Sequence, residues 1–158
     1  MDQIKEFIQS LEKIFAVKVN VKINYVNTRE EMNKILGRKT ENWVVGSVKE
    51  DIIYIFYKKL FPIVSKQHTE EDFYPVLKHE IVHLFIHKAF GKGSAWFDEG
   101  LACILAGQKK KLPKENPDPR KLITREDFRI AENPYGKSVK LVMNILNALK
   151  DEKNKKSN

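Results

Sequence analysis

The stretch that decides the reading of this chain is His79-Glu80-Ile81-Val82-His83. His79 and His83 are four residues apart, so on a helix they stand one above the other on a single face. Glu80, three before His83, lies beside the pair. Their neighbours Val76, Leu77, Ile81, Val82, Leu84, Phe85 and Ile86 are apolar, which marks a helix buried on most sides. Two imidazoles and a carboxylate inside such a helix are costly without partners. A bound metal ion satisfies them, because neutral imidazole is a good zinc ligand and the cation favours a nearby carboxylate. The bland alternative is a buried polar cluster bonded to its neighbours.

A catalytic zinc takes three protein ligands and keeps a fourth position for water. The next candidate ligand is Glu99, with 15 residues between it and His83. That length allows the first helix to end, the chain to turn at Gly91 and Gly93, and a second helix to start. Trp96 to Ala106 reads as this second buried helix, stopped by Gly107, with Glu99 in its first turn. Asp98, one residue earlier, competes for the same role. Ile86 and Ala89 stand where a metzincin needs a glycine and a third histidine, so that variant is excluded. His87 extends the His79/His83 face by one turn and is expected to bond a carboxylate or face solvent.

With HEIVH followed by WFDEGLA, the chain resembles the gluzincin metallopeptidases, in particular the peptidase MA-like families. The resemblance covers roughly residues 40 to 150 and rests on the combined motifs rather than on HExxH alone. It implies a small zincin-like α+β fold and a Zn2+ cofactor. It assigns His79, His83 and Glu99 as metal ligands and Glu80 as general base, and it favours Glu99 over Asp98. It also points to Tyr135, in Tyr135-Gly136-Lys137-Ser138, as a donor to the developing oxyanion. The implied activity is hydrolysis of a peptide or unfolded protein. One position departs from the pattern: Cys103 stands where some gluzincins carry an acidic residue that orients a histidine, and Asp98 is the available substitute.

Composition sets the bounds. A chain of 158 residues with 32% charged side chains fits one compact domain, expected over 1–150, followed by a Lys-rich flexible tail over 151–158. The start has no apolar leader segment and no run reaches membrane-spanning length. A lone Cys103 excludes an internal disulfide and points to a reducing, cytoplasmic setting. Nothing calls for more than a monomer. The net charge of +8 raises a nucleic-acid reading, but the positive residues at Lys109-Lys110-Lys111, between Arg120 and Arg129, and in the tail are mixed with acids and carry no aromatic stripe. A solvated surface explains them, and neither nucleic acid nor membrane is expected as a partner.

The remaining elements follow from periodicity. Ile4, Phe7, Ile8, Leu11, Ile14 and Phe15 give a helical stripe over 2–16, and alternation from Val17 to Tyr25 gives a strand. Thr28 caps a short helix ending before Gly37, with Glu31 at the capping-box position. Trp43–Val48 and Ile52–Phe56 form an antiparallel hairpin around Lys49-Glu50-Asp51, giving a short mixed sheet of three to four strands. Trp43–Val48 is the expected edge, since Gly46 permits close backbone approach. Asp72 is the expected N-cap of the HEIVH helix. Residues 108–120 hold Pro113, Pro117 and Pro119 and read as an exposed loop, with a flap over the cleft as the second reading. Asn133-Pro134 opens a last helix over 135–150, with Val139, Leu141, Val142, Ile145, Leu146 and Leu149 on its apolar side. Two functions fit: an active metallopeptidase, or a latent or silent metal-binding domain acting through protein interaction. A purely structural zinc site has no need of Glu80, which favours catalysis.

Overall fold

The computed structural model describes residues 2–156. It is an α+β protein, with seven α-helices and a three-stranded mixed sheet among the described residues. The chain divides between Gly91 and Lys92 into two compact units.

The first unit opens with α1 (Asp2–Phe15), then β1 (Lys22–Val26), α2 (Arg29–Leu36), β2 (Gly46–Lys49) and β3 (Ile52–Phe56). β1 pairs parallel with β3, Lys22 opposite Ile52 through Val26 opposite Phe56. β2 pairs antiparallel with β3, Gly46 opposite Ile55. The order β1-β3-β2 makes β2 the edge of the hairpin, as Gly46 suggested. β1 starts five residues later than the alternation from Val17 predicts, because β3 offers a partner only from Ile52 onward. Thr28 Oγ1 accepts the Glu31 amide as an N-cap, and Gly37 closes α2 with φ 69°. Glu31 itself accepts the Asn27 amide rather than that of Thr28, one residue short of a capping box.

The segment leading into β2 is held by Arg29. Its guanidinium donates to the carbonyls of Asn42, Val44 and Val64 and to Thr40 Oγ1, and lies 5.0 Å over the Phe56 ring. One side chain thus ties three carbonyls that no strand serves. After β3, α3 (Phe61–Val64) and a 3-10 turn over Glu70–Asp72 lead into α4 (Phe73–Phe90). The cap here differs from expectation. Thr69 is the capping residue, and Asp72 is its N3 partner, accepting the Thr69 amide at 2.7 Å. Asp72 therefore reaches backward and does not cap α4. Leu77, Ile81, Val82, Leu84, Phe85 and Ile86 of α4 are buried, and the Phe15 ring of α1 packs at a tilt against Phe85 with centroids 5.8 Å apart. Gly91 ends the helix with φ 75°.

The second unit begins with α5 (Ala95–Leu105), followed by a 3-10 turn over Pro119–Leu122, α6 (Arg125–Ile130) and α7 (Pro134–Lys156). α5 and α7 cross at Gly100, where an added Cβ would lie 2.4 Å from the Ser138 carbonyl oxygen. Only glycine permits this approach. Ala95, Leu122, Phe128 and Leu141 form a core against which Trp96 and Tyr135 pack. Residues 108–118 are not a free flap. Lys111 O accepts from Asn133, the carbonyls of Pro113 and Lys114 accept from Lys140 Nζ, and Asn116 accepts from Asn144. The backbone is strapped along α7. α7 runs to Lys156, past the expected end at 150. Val139, Leu141 and Val142 are buried, whereas Ile145, Leu146 and Leu149 are exposed by 42%, 40% and 60%, so the apolar stripe is covered over its first half only. Among the described residues no helix is long and apolar enough to cross a membrane.

Candidate metal centre

α4 delivers the histidines as its period requires. His79 and His83 are buried, and their rings meet edge to face with centroids 4.7 Å apart. Their Nε2 atoms stand 3.1 Å apart. Two Nε2 ligands on a tetrahedral zinc, each at about 2.05 Å, would be separated by about 3.3 Å. The observed pair lies within a few tenths of an ångström of that value, so the donor set fits the ion without rebuilding the helix. The same separation suits one N–H···N hydrogen bond between neutral rings, which is the form a metal-free pair takes. His87 is half-buried, with its ring 6.0 Å from that of His83, one turn beyond the pair.

Glu80 is half-buried on the side of α4 that meets β2. A Cβ built at Gly46 would lie 3.2 Å from Glu80 Cγ and 3.2 Å from Val76 Cγ1. Gly46 therefore lets the edge strand close onto the helix at the position of the carboxylate. This gives a structural reason for a glycine in the middle of the expected strand, and it sets Glu80 beside β2, an edge strand of the sheet among the described residues.

In the second unit, Ser94 stands at the N-cap position of α5 and its carbonyl accepts the amides of Phe97 and Asp98. Glu99 is buried. Its Oε1 accepts from Arg125 Nη1, a partner 26 residues away that the sequence reading did not single out. Burial pulls the Arg125 guanidinium down, but the charge and hydrogen bond of Glu99, with Asp98 and Tyr135, outweigh it and hold the group above its ordinary value. Asp98 is also buried, and its Oδ1 lies 3.0 Å from where a Gly93 Cβ would sit. Cys103 is fully buried, its thiol directed at Gln108 Oε1 at 3.5 Å.

Within the first unit, His79 and His83 form a buried pair that could supply two ligands to a metal ion, and within the second unit Glu99 is a buried carboxylate. Tyr135 is half-buried in its own unit: its ring meets Phe128 edge to face at 4.9 Å and carries Lys110 Nζ 5.0 Å above it. The ring thus has a packing role whatever its hydroxyl does. The signal that could have found Arg125 is Thr124-x-x-Asp127, a capping pattern that opens α6 and puts Arg125 at its first position. A cation there opposes the helix dipole, so it calls for an anion nearby.

No family model matches the chain, and the searches of curated proteins and of solved structures also return no match.

Proposed function

We propose that this chain is a zinc-dependent metallopeptidase of the gluzincin type. His79, His83 and Glu99 hold the ion. The observation that carries the reading is local to the first unit: a buried histidine pair at metal-ligand separation with Glu80 beside it against the β2 edge. Buried imidazoles can serve a purely structural site, but a half-buried carboxylate next to an edge strand is what hydrolysis needs.

A zinc ion bound there supplies Lewis acidity to a scissile carbonyl and brings the pKa of a water toward neutrality. Glu80 accepts a proton from the attacking water and returns it to the leaving amine. The edge strand β2 takes an extended peptide by backbone pairing, which suits an unfolded polypeptide of loose sequence. Tyr135 is assigned the donor to the developing oxyanion. The lone buried Cys103 fits a reducing, cytoplasmic setting for this activity.

A second reading is a metal-binding domain without turnover, latent or silent and acting through protein interaction. The two separate in one assay. Zinc-loaded protein is incubated with an unfolded substrate such as reduced casein, alongside Glu80→Gln. Cleavage by the wild type that is lost in the variant supports the peptidase. Equal zinc content in both with no cleavage by either supports the silent domain.

A further inference from the structure

We propose that Arg125 is a positioning residue of the metal centre: its guanidinium holds Oε1 of Glu99 and presents Oε2 as a single-oxygen ligand to the ion. The inference rests on the metal-centre reading above and adds to it the residue that sets the geometry of the third ligand.

Three observations carry it. The first is the contact itself, made by Nη1 to one carboxylate oxygen of a buried glutamate. A carboxylate has two oxygens, and a partner on one of them fixes the rotation that decides where the other points. The second is the stem. Arg125 is the first residue of α6, which is fastened by a reciprocal pair: Thr124 Oγ1 accepts the Asp127 amide at 3.0 Å, and Asp127 accepts the Thr124 amide at 2.9 Å. Leu122 and Phe128, both buried, anchor the chain on either side. The guanidinium therefore starts from a fixed backbone. The third is chemical. A ligand carboxylate must be ionised to bind a metal, and ionising a buried carboxylate is costly without a cation. Arginine is the cation that stays charged under any ordinary condition, and its planar fork directs as well as attracts. It does for Glu99 what hydrogen-bonded partners do for metal ligands generally, fixing orientation before the metal arrives.

The Arg125 side chain is 59% exposed, so substitution leaves no internal void and the variants are expected to fold. The test is zinc affinity, measured by competition with a coloured chelator at fixed pH, on the wild type, Arg125→Gln, Arg125→Lys and His83→Ala. The expected result is a loss of about ten- to a hundredfold in Arg125→Gln, partial recovery in Arg125→Lys, and loss of binding in His83→Ala. Unchanged or tighter binding in Arg125→Gln, with binding still lost in His83→Ala, overturns the positioning role and leaves the metal centre standing. A wild type that takes up no zinc, or a His83→Ala variant that binds as well as the wild type, overturns the metal centre and the role of Arg125 with it. The melting temperature of the metal-free variants gives an independent readout. A merely structural role for Arg125 lowers it in Arg125→Gln and leaves zinc affinity alone.

Discussion

The two compact units present their buried polar groups in different ways. In residues 1–91 the histidine pair and Glu80 come from five consecutive positions of one helix, and a 3.6-residue period brings them together. In residues 92–158 the buried Glu99 on α5 is met by Arg125 at the start of α6, across a strapped segment and a 3-10 turn. The first arrangement is built by helix geometry alone. The second exists only when the unit has folded and α6 has been capped. The first should therefore be robust to changes elsewhere in the chain, and the second should be sensitive to the elements that hold it.

The largest expected effect sharpens the first arrangement. Glu80→Gln keeps the shape of the side chain and removes the base, so peptide turnover should fall about a thousandfold with zinc content unchanged. Turnover within a few-fold of wild type would remove Glu80 from the mechanism. Tyr135→Phe is next, with an expected loss of about a hundredfold in kcat if its hydroxyl stabilises an oxyanion. Since the Tyr135 ring packs on Phe128, phenylalanine preserves the fold, and an unchanged kcat would leave the residue with packing alone. Gly46→Ala tests the contact between edge strand and helix. The added methyl group would sit 3.2 Å from both Glu80 Cγ and Val76 Cγ1, forcing the carboxylate to shift. Turnover should drop roughly tenfold, since small misplacements of a catalytic group are expensive, while zinc affinity holds. Full activity would show that Glu80 has room to move.

The smallest effect belongs to the second unit. Thr124→Ala removes the cap of α6 and should lower stability by about 1 kcal/mol, read from chemical unfolding. The same pair gives a pH dependence. The backbone and hydroxyl hydrogen bonds from Thr124 hold the Asp127 carboxyl below its ordinary value. A carboxyl with a depressed folded-state pKa contributes stability that is present at neutral pH and lost as the pH falls through that folded value. The stability of the wild type should therefore decline below the ordinary aspartate range more steeply than that of Thr124→Ala. Parallel acid profiles would show that the cap contributes nothing.

What the sequence made legible follows the same division. Thr28 and Gly37 bracket α2 as local rules require, and the HEIVH helix and the turn at Glu50 lie where period and turn chemistry put them. Such features depend on neighbours a few residues away. The first hairpin strand, however, begins at Gly46 rather than Trp43, because Trp43 and Val44 belong to a turn closed by the Val44 N–H to the Glu41 carbonyl. β1 was misjudged at its start, because a strand extends only as far as its partner, and β3 begins at Ile52. α6 has no apolar period to announce it in six residues, and only the cap pattern of Thr124 and Asp127, beyond the 108–120 loop, marks its start. The Asp72 cap was misplaced because Thr69 makes the same pattern one turn earlier. Ile145, Leu146 and Leu149 were expected to be covered and are exposed, since periodicity shows which face is apolar and not how far its cover extends. At the candidate site the buried histidine pair follows from its spacing on one helix face, and the burial of Glu99 from the apolar helix around it. Arg125 was not legible, because no local period links it to Glu99.

The measurement that tests the central claim most directly is zinc per chain, by elemental analysis of the wild type and of Glu99→Ala. One zinc per chain in the wild type, lost or much weakened in the variant, is the predicted result. No zinc in the freshly purified wild type and none taken up on titration would contradict the account, and would leave HEIVH as a buried histidine pair held by a hydrogen bond.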